Sequence, residues 1–210
     1  HNTPFDTTLT VTDHEALPEQ TSSTVDAVAG TATYDGSVST LELIENVVGS
    51  EHSDIITGNI FDNTILGGGG DDVLSGNDGE DVIRGGVGSD TVSGGAGDDI
   101  LFGDEGGDVI DGGDGSDQIF GGEGGDQLLG GNGVDELYGE SGADVISGGA
   151  GDDQIFGESG SDLINGGAGD DTIAGGLDSD DLSGGEGSDL LLGGSGGDTL
   201  SGDAGDDLLF

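Results

Sequence analysis

The sequence predicts an all-β chain wound as a two-sheet, right-handed β-solenoid, a parallel β-roll with 18-residue coils, and three observations predict it. From Gly49 to Phe210 the chain divides, without insertion or deletion, into 18 blocks of nine residues. Every block opens with Gly, and the eighth position is Ile, Leu or Val in all 18. The fourth position is Gly in 15 blocks and the second in 11, so glycine recurs where a backbone needs positive φ and is not linker filler.

Within a block such as Gly94 to Phe102, six turn-forming residues precede three, Ile100 to Phe102, that read as a short strand. So short a strand reverses through the next glycine turn. Two blocks therefore complete one coil, and strands of alternate blocks stack into two parallel sheets. The eighth-position aliphatics, Ile56, Leu74, Ile83, Ile119, Ile155 and Leu209 among them, form the expected core, one side chain deep. Nine coils at ~4.8 Å make a rod about 43 Å long. Residues 49–210 are thus the roll. Residues 31–48 are expected to cap it and continue the strand register, with Glu45 in the sixth slot and Val47 in the eighth. Residues 1–30 read as a strand and linker left from a preceding domain.

Composition narrows the function. Of 210 residues, 46 are Asp or Glu and one is Lys or Arg, giving a formal charge of -45. Such a chain repels phosphate backbones and anionic lipid, which argues against nucleic-acid or membrane partners. No apolar run approaches the roughly 18–20 residues of a membrane-spanning helix. With no Cys, disulfides and thiolate metal sites are absent. The chain opens at His1 without a basic-then-apolar leader and reads as a mature chain or an excised piece. No catalytic constellation is visible. Acid pairs such as Asp71-Asp72 and Asp152-Asp153 recur with the repeat and belong to the scaffold, so no enzyme is expected.

The sixth position carries the chemistry. It is Asp in 17 blocks, with Asn63 the exception. Stacking lines these carboxylates up ~4.8 Å apart, where like charges repel by ~1 kcal/mol in water and by more in a lower dielectric. A divalent cation between successive turns reverses that sign. Carboxylates together with the carbonyls that glycine turns expose form an all-oxygen ligand set, which suits Ca²⁺ better than Mg²⁺. His1, His14 and His52 share no spacing that would make a zinc or copper site. Two columns of turns allow about 16 ions if each successive same-side pair holds one. His52, Phe61 and Asn63 mark the N-terminal turns as the weakest, and Asp178 replaces a turn glycine with a residue that tolerates positive φ.

The nonapeptide Gly-Gly-x-Gly-x-Asp-x-aliphatic-x resembles the repeat of the RTX proteins, secreted bacterial proteins with calcium-binding parallel β-rolls. The stretch LELIENVVGSEHSDIITGN, residues 41–59, is similar to the lead-in of such repeats. The resemblance implies Ca²⁺ held between consecutive same-side turns by Asp54, Asp72, Asp81, Asp90, Asp99, Asp108, Asp117, Asp126, Asp135, Asp144, Asp153, Asp162, Asp171, Asp180, Asp189, Asp198 and Asp207. It further implies carbonyl ligands near the second and fourth positions, the latter at Gly70, Gly79, Gly88, Gly97, Gly106, Gly115, Gly124, Gly133, Gly142, Gly151, Gly160, Gly169, Gly187, Gly196 and Gly205. Type I secretion to a calcium-rich bacterial exterior or cell surface is implied as well.

The ninth position holds a second pattern, because alternate blocks place Phe102, Phe120, Tyr138 and Phe156 there. One sheet should therefore carry an outward aromatic ladder. It serves either to pack neighbouring strands or to dock a flanking domain, a sister rod or a glycan. Three functional readings follow: a calcium-dependent structural or adhesive rod, the folding and secretion module of a larger secreted protease, lipase, epimerase or toxin, and a self-assembling subunit of an extracellular filament or surface layer.

Overall fold

The nine-residue period sets the architecture directly. The computed structural model describes residues 46–210 throughout, together with the backbone of four earlier strands, Thr8–Thr10, Thr24–Asp26, Thr31–Tyr34 and Ser37–Thr40. Consecutive strands alternate between two sheets, one of 11 strands and one of 12, and every pairing within the repeats is parallel. Residues 18 apart face each other, as in Ile110↔Leu128 and Ile119↔Leu137. Each coil thus adds one strand to each sheet.

The strands are longer than the sequence predicts. They run six residues, as in Val73–Asp78 and Ile100–Glu105, so positions seven to nine continue through the first three positions of the following block. Glycine has a low strand propensity, but the flat, in-register stack supplies ladder partners on both sides and overrides it. The register skips only the first glycine: Ser93 faces Asp111 and Gly95 faces Gly113. Positions four to six remain as the turn.

Seventeen aliphatic side chains from Val47 to Leu191, all in the eighth slot, are 0–2% exposed, and Leu200 packs partly against them. Val47 pairs with Ile65 in register. In the segment expected to cap the roll, Thr31–Tyr34 pairs antiparallel with Thr24–Asp26 on one side and with Ser37–Thr40 on the other, at the edge of the 12-stranded sheet. Thr8–Thr10 and Thr24–Asp26 themselves pair parallel with Asn46–Val48 and Ile55–Thr57, so both sheets extend beyond the repeats, one by two strands and the other by three. Glu45, His1, His14 and most of the expected linker lie outside the described residues.

Register also builds the aromatic ladder. Phe102, Phe120, Tyr138 and Phe156 occupy equivalent positions of successive strands, and their rings stack at 4.9 to 5.0 Å with interplanar angles of 1 to 11°. At one end the Arg84 guanidinium lies 4.3 Å over the Phe102 ring and pairs with Asp104. Tyr138 donates its hydroxyl to Glu136 at 2.5 Å, which pushes its pKa up to about 12. The ring faces cover one another and only the edges look outward, a geometry that favours strand packing over a stacking platform for sugar. Replacing Phe120 and Phe156 by Ser removes all three stacks, at ~0.5–1.5 kcal/mol each. Melting should fall by roughly 3–10 °C with calcium stoichiometry unchanged. Unchanged melting with altered sedimentation would assign the ladder to an interface instead.

Candidate metal centre

Turns of alternate blocks stack along the two long edges of the roll. One edge carries Asp54, Asp72, Asp90, Asp108, Asp126, Asp144, Asp162, Asp180 and Asp198 (the Asp72 edge). The other carries Asn63, Asp81, Asp99, Asp117, Asp135, Asp153, Asp171, Asp189 and Asp207 (the Asp81 edge). The glycine pattern explains why these side chains point inward. A Cβ at the first-position Gly121 would lie 2.6 Å from the Asp126 Oδ2 and 2.8 Å from the Gly139 carbonyl oxygen of the next coil. The missing side chain is the space into which the carboxylate folds.

Once inside, the two carboxylate oxygens differ. Oδ1 accepts the backbone N–H of the Asp one coil earlier, in an unbroken series from Asp54 N–H to Asp72 Oδ1 through to Asp189 N–H to Asp207 Oδ1, at 2.6 to 3.2 Å. Oδ2 accepts nothing. In all 14 sixth-position Asp residues from Asp72 to Asp189 it is buried without a hydrogen-bond partner, in side chains 1–3% exposed. Buried charge without a partner costs several kcal/mol, so these 14 oxygens are positions that could hold a cation.

Carbonyls complete the donor set. Most fourth-position glycines between Gly70 and Gly187 donate their N–H to the next coil, as Gly88 does to the Glu105 carbonyl at 2.8 Å, yet no turn hydrogen bond among the described residues ends on a fourth-position glycine carbonyl. These oxygens point along the rod: a Cβ on Gly124 would fall on the Gly106 carbonyl, and one on Gly106 on that of Gly88. Nowhere among the described residues do three His, Cys, Asp or Glu side chains converge. A cation here must therefore draw on backbone oxygen, which fits a hard ion with a flexible shell.

The N-terminal turns are built differently. Asp54 Oδ2 accepts the Ser50 N–H at 2.6 Å and the Ser50 hydroxyl at 3.0 Å, and Asn63 Oδ1 accepts the Asn59 N–H at 2.7 Å. The first coil thus closes its turns on itself, a device the sequence reading missed because Ser50 and Asn59 look like ordinary second-position substitutions. Asp178 adopts φ +73 in its glycine slot, and the neighbouring Asp180 N–H reaches Asp198 Oδ1 only at 3.2 Å.

Burial raises the sixth-position carboxyls from the ordinary 3.8 to about 7 at Asp72, Asp99, Asp117, Asp144 and Asp153, and to about 6 at Asp81, Asp108 and Asp171. Desolvation is the main cause, opposed by the backbone N–H and reinforced by neighbouring carboxylates. Without metal, each group binds its proton more tightly in the roll than in the unfolded chain. Metal-free stability is therefore greatest below about pH 4 and declines as pH rises through 6 to 7. With metal the slope reverses, because protons compete for the ligands. The chelated chain should show more β signal by circular dichroism at pH 5 than at pH 8, and the calcium-loaded chain less. A chelated chain better ordered at pH 8 would contradict this assignment.

No curated protein matches the chain. The family model for the RTX calcium-binding nonapeptide repeat matches residues 48–83, 75–110, 93–128, 129–164, 147–182, 156–191 and 183–210, so its copies overlap or abut across nearly all of the repeat region. The roll, its partnerless buried carboxylates and this match agree: the chain belongs to the RTX calcium-binding repeat family.

Proposed function

We propose that the chain is a calcium-dependent rod whose ions lie between consecutive turns on each edge, held by sixth-position carboxylates and fourth-position carbonyls, about 16 in all. The observation that carries this reading is the pair of columns of buried, partnerless Oδ2 atoms from Asp72 to Asp189. Calcium supplies positive charge and extra ligation. The chain supplies the rest: Oδ1 locks each carboxylate to the coil before it, glycine leaves room for the carboxylate, and the eighth-position aliphatics keep water from the interior. A rod of charge -45 that needs calcium stays unfolded where the ion is scarce and folds where it is plentiful, which suits release from a bacterial cell into its exterior. Strands Thr8–Thr10 and Thr24–Asp26, which extend both sheets, favour a second role as the folding module of a larger secreted protein, because they couple preceding chain to the roll.

Asp126 and Asp54 test the ligand assignment. Asp126 bonds to the coils on both sides and keeps a free Oδ2, whereas the Asp54 Oδ2 is already engaged by Ser50. Asp126→Ala should lower the number of bound ions and raise the calcium midpoint of folding severalfold, and Asp54→Ala should change both little. Calorimetry that finds equal effects, or fewer than about ten ions on the parent chain, would defeat the two-column reading.

A further inference from the structure

Sixth-position carboxylates are shared almost equally between the two edges, but fifth-position ones are not. On the Asp81 edge the fifth position holds Asp62, Glu80, Asp98, Asp152, Asp170 and Asp206, whereas on the Asp72 edge only Asp71 is charged and the rest are Ser, Gly or Ala. The structure gives these side chains a fixed place. Asp98 Oδ1 accepts the Ser116 N–H of the next coil at 2.9 Å, Asp152 Oδ1 the Asp170 N–H at 2.9 Å, and Asp170 Oδ1 the Ser188 N–H at 2.7 Å. Each carboxylate therefore spans the gap between its own turn and the following one. Across that same gap Asp117 Oδ1 reaches back to the Asp99 N–H at 2.8 Å, with a buried and partnerless Oδ2 beside it. The fifth-position charge and the partnerless oxygen thus lie between the same two coils, and Asp98 acts electrostatically on Asp117.

We propose that the two edges are inequivalent calcium stores, the Asp81 edge filling at severalfold lower free calcium than the Asp72 edge because its fifth-position carboxylates add charge at each gap. The inference rests on the calcium reading above. Charge count tunes calcium affinity at oxygen sites even when geometry is kept, and a carboxylate closer than a Debye length is only partly screened at physiological salt. The turn hydrogen bond itself does not require that charge, since the Ser179 hydroxyl accepts the Gly197 N–H at 3.1 Å on the other edge. At the fifth position the edges differ in charge and not in the hydrogen-bonding scheme, while the Asp72 edge carries charges of its own at Asp104 and Asp178, in the second and fourth positions.

The test is a calcium titration of the whole chain, followed by calorimetry and by residue-resolved amide protection in the turns. On the parent chain, turn amides around Asp99 and Asp171 should become protected at about five- to tenfold lower free calcium than those around Asp108 and Asp144. The variant D98N/D152N/D170N keeps an acceptor oxygen at each site and should merge the two classes by weakening the tighter one. The opposite variant, S161D/S179D, should move the Asp162 and Asp180 turns to lower calcium. Edges that titrate together on the parent chain, or a gap that survives the triple variant, overturn the inference while leaving the calcium reading intact. A parent chain that binds no calcium overturns that reading first, and this inference with it.

Discussion

Chelating calcium at pH 8 is expected to erase the β signal of this chain, and millimolar Ca²⁺ to restore it. The apolar core is one side chain deep, 17 aliphatic residues along two sheets, and 14 partnerless carboxylates lie buried beside it. That pH lies above the pKa of about 7 to which burial raises Asp99 and Asp117, so the metal-free roll must hold stacked, desolvated charge there with nothing to neutralise it. Bound ions reverse the balance by mass action: each site filled at tenfold excess over its Kd contributes about 1.4 kcal/mol, and a column of such sites adds coil by coil. The measurement is far-ultraviolet circular dichroism across a buffered calcium series, with sedimentation to report compaction. A chelated chain that keeps its full β signal at pH 8 would show that the core and ladders suffice, and the carboxylate columns would then need another explanation.

Repetition made much of this molecule legible in its sequence. Each role is stated many times over, so the eighth slot reads as core and the sixth as ligand even where single blocks depart, and Val47 shows that the slot logic extends ahead of the first intact block. Local propensity misled where stacking overrides it. Glycines at positions one and two read as turn, but an in-register neighbour on each side draws them into six-residue strands. Features that depend on contacts between coils were not visible. The fifth-position side chains that reach the next turn need the 18-residue offset to be drawn in space, whereas the closure of the first coil through Ser50 and Asn59 is a four-residue contact within a turn that the repeat pattern does not mark. The strands before Asn46 carry no nonapeptide signal, so their antiparallel pairing was beyond a periodicity argument.

Gly124→Val is expected to be among the most damaging single substitutions in the interior of the roll, and far worse than Gly122→Asn two residues earlier. Both glycines have positive φ, +139 at Gly124 and +115 at Gly122, and at both an added Cβ meets the carbonyl of the equivalent residue one coil before. The second position has an escape, however. Asn77, Asp104, Glu140, Glu158 and Asp203 occupy it at φ of 60 to 82°, the ordinary left-handed region, and the strands keep their register, with only the Glu140–Glu158 pair dropping out of the ladder. Asn at 122 can take the same route at a cost of about 1 kcal/mol. In the fourth position only Asp178 makes that shift among the interior turns, and the next Asp-to-Asp bond lengthens to 3.2 Å where it does. Valine is β-branched and cannot follow, so its Cβ must push the Gly106 carbonyl away, and that is one of the oxygens assigned to the ion between these coils. Strain and a lost ligand act at the same gap, for an expected loss of ~3 kcal/mol or more. In a calcium titration Gly124→Val should raise the folding midpoint many-fold and leave the roll frayed at that coil, with Gly122→Asn close to the parent. Similar midpoints for the two variants would mean that the fourth-position carbonyls do not ligate the metal.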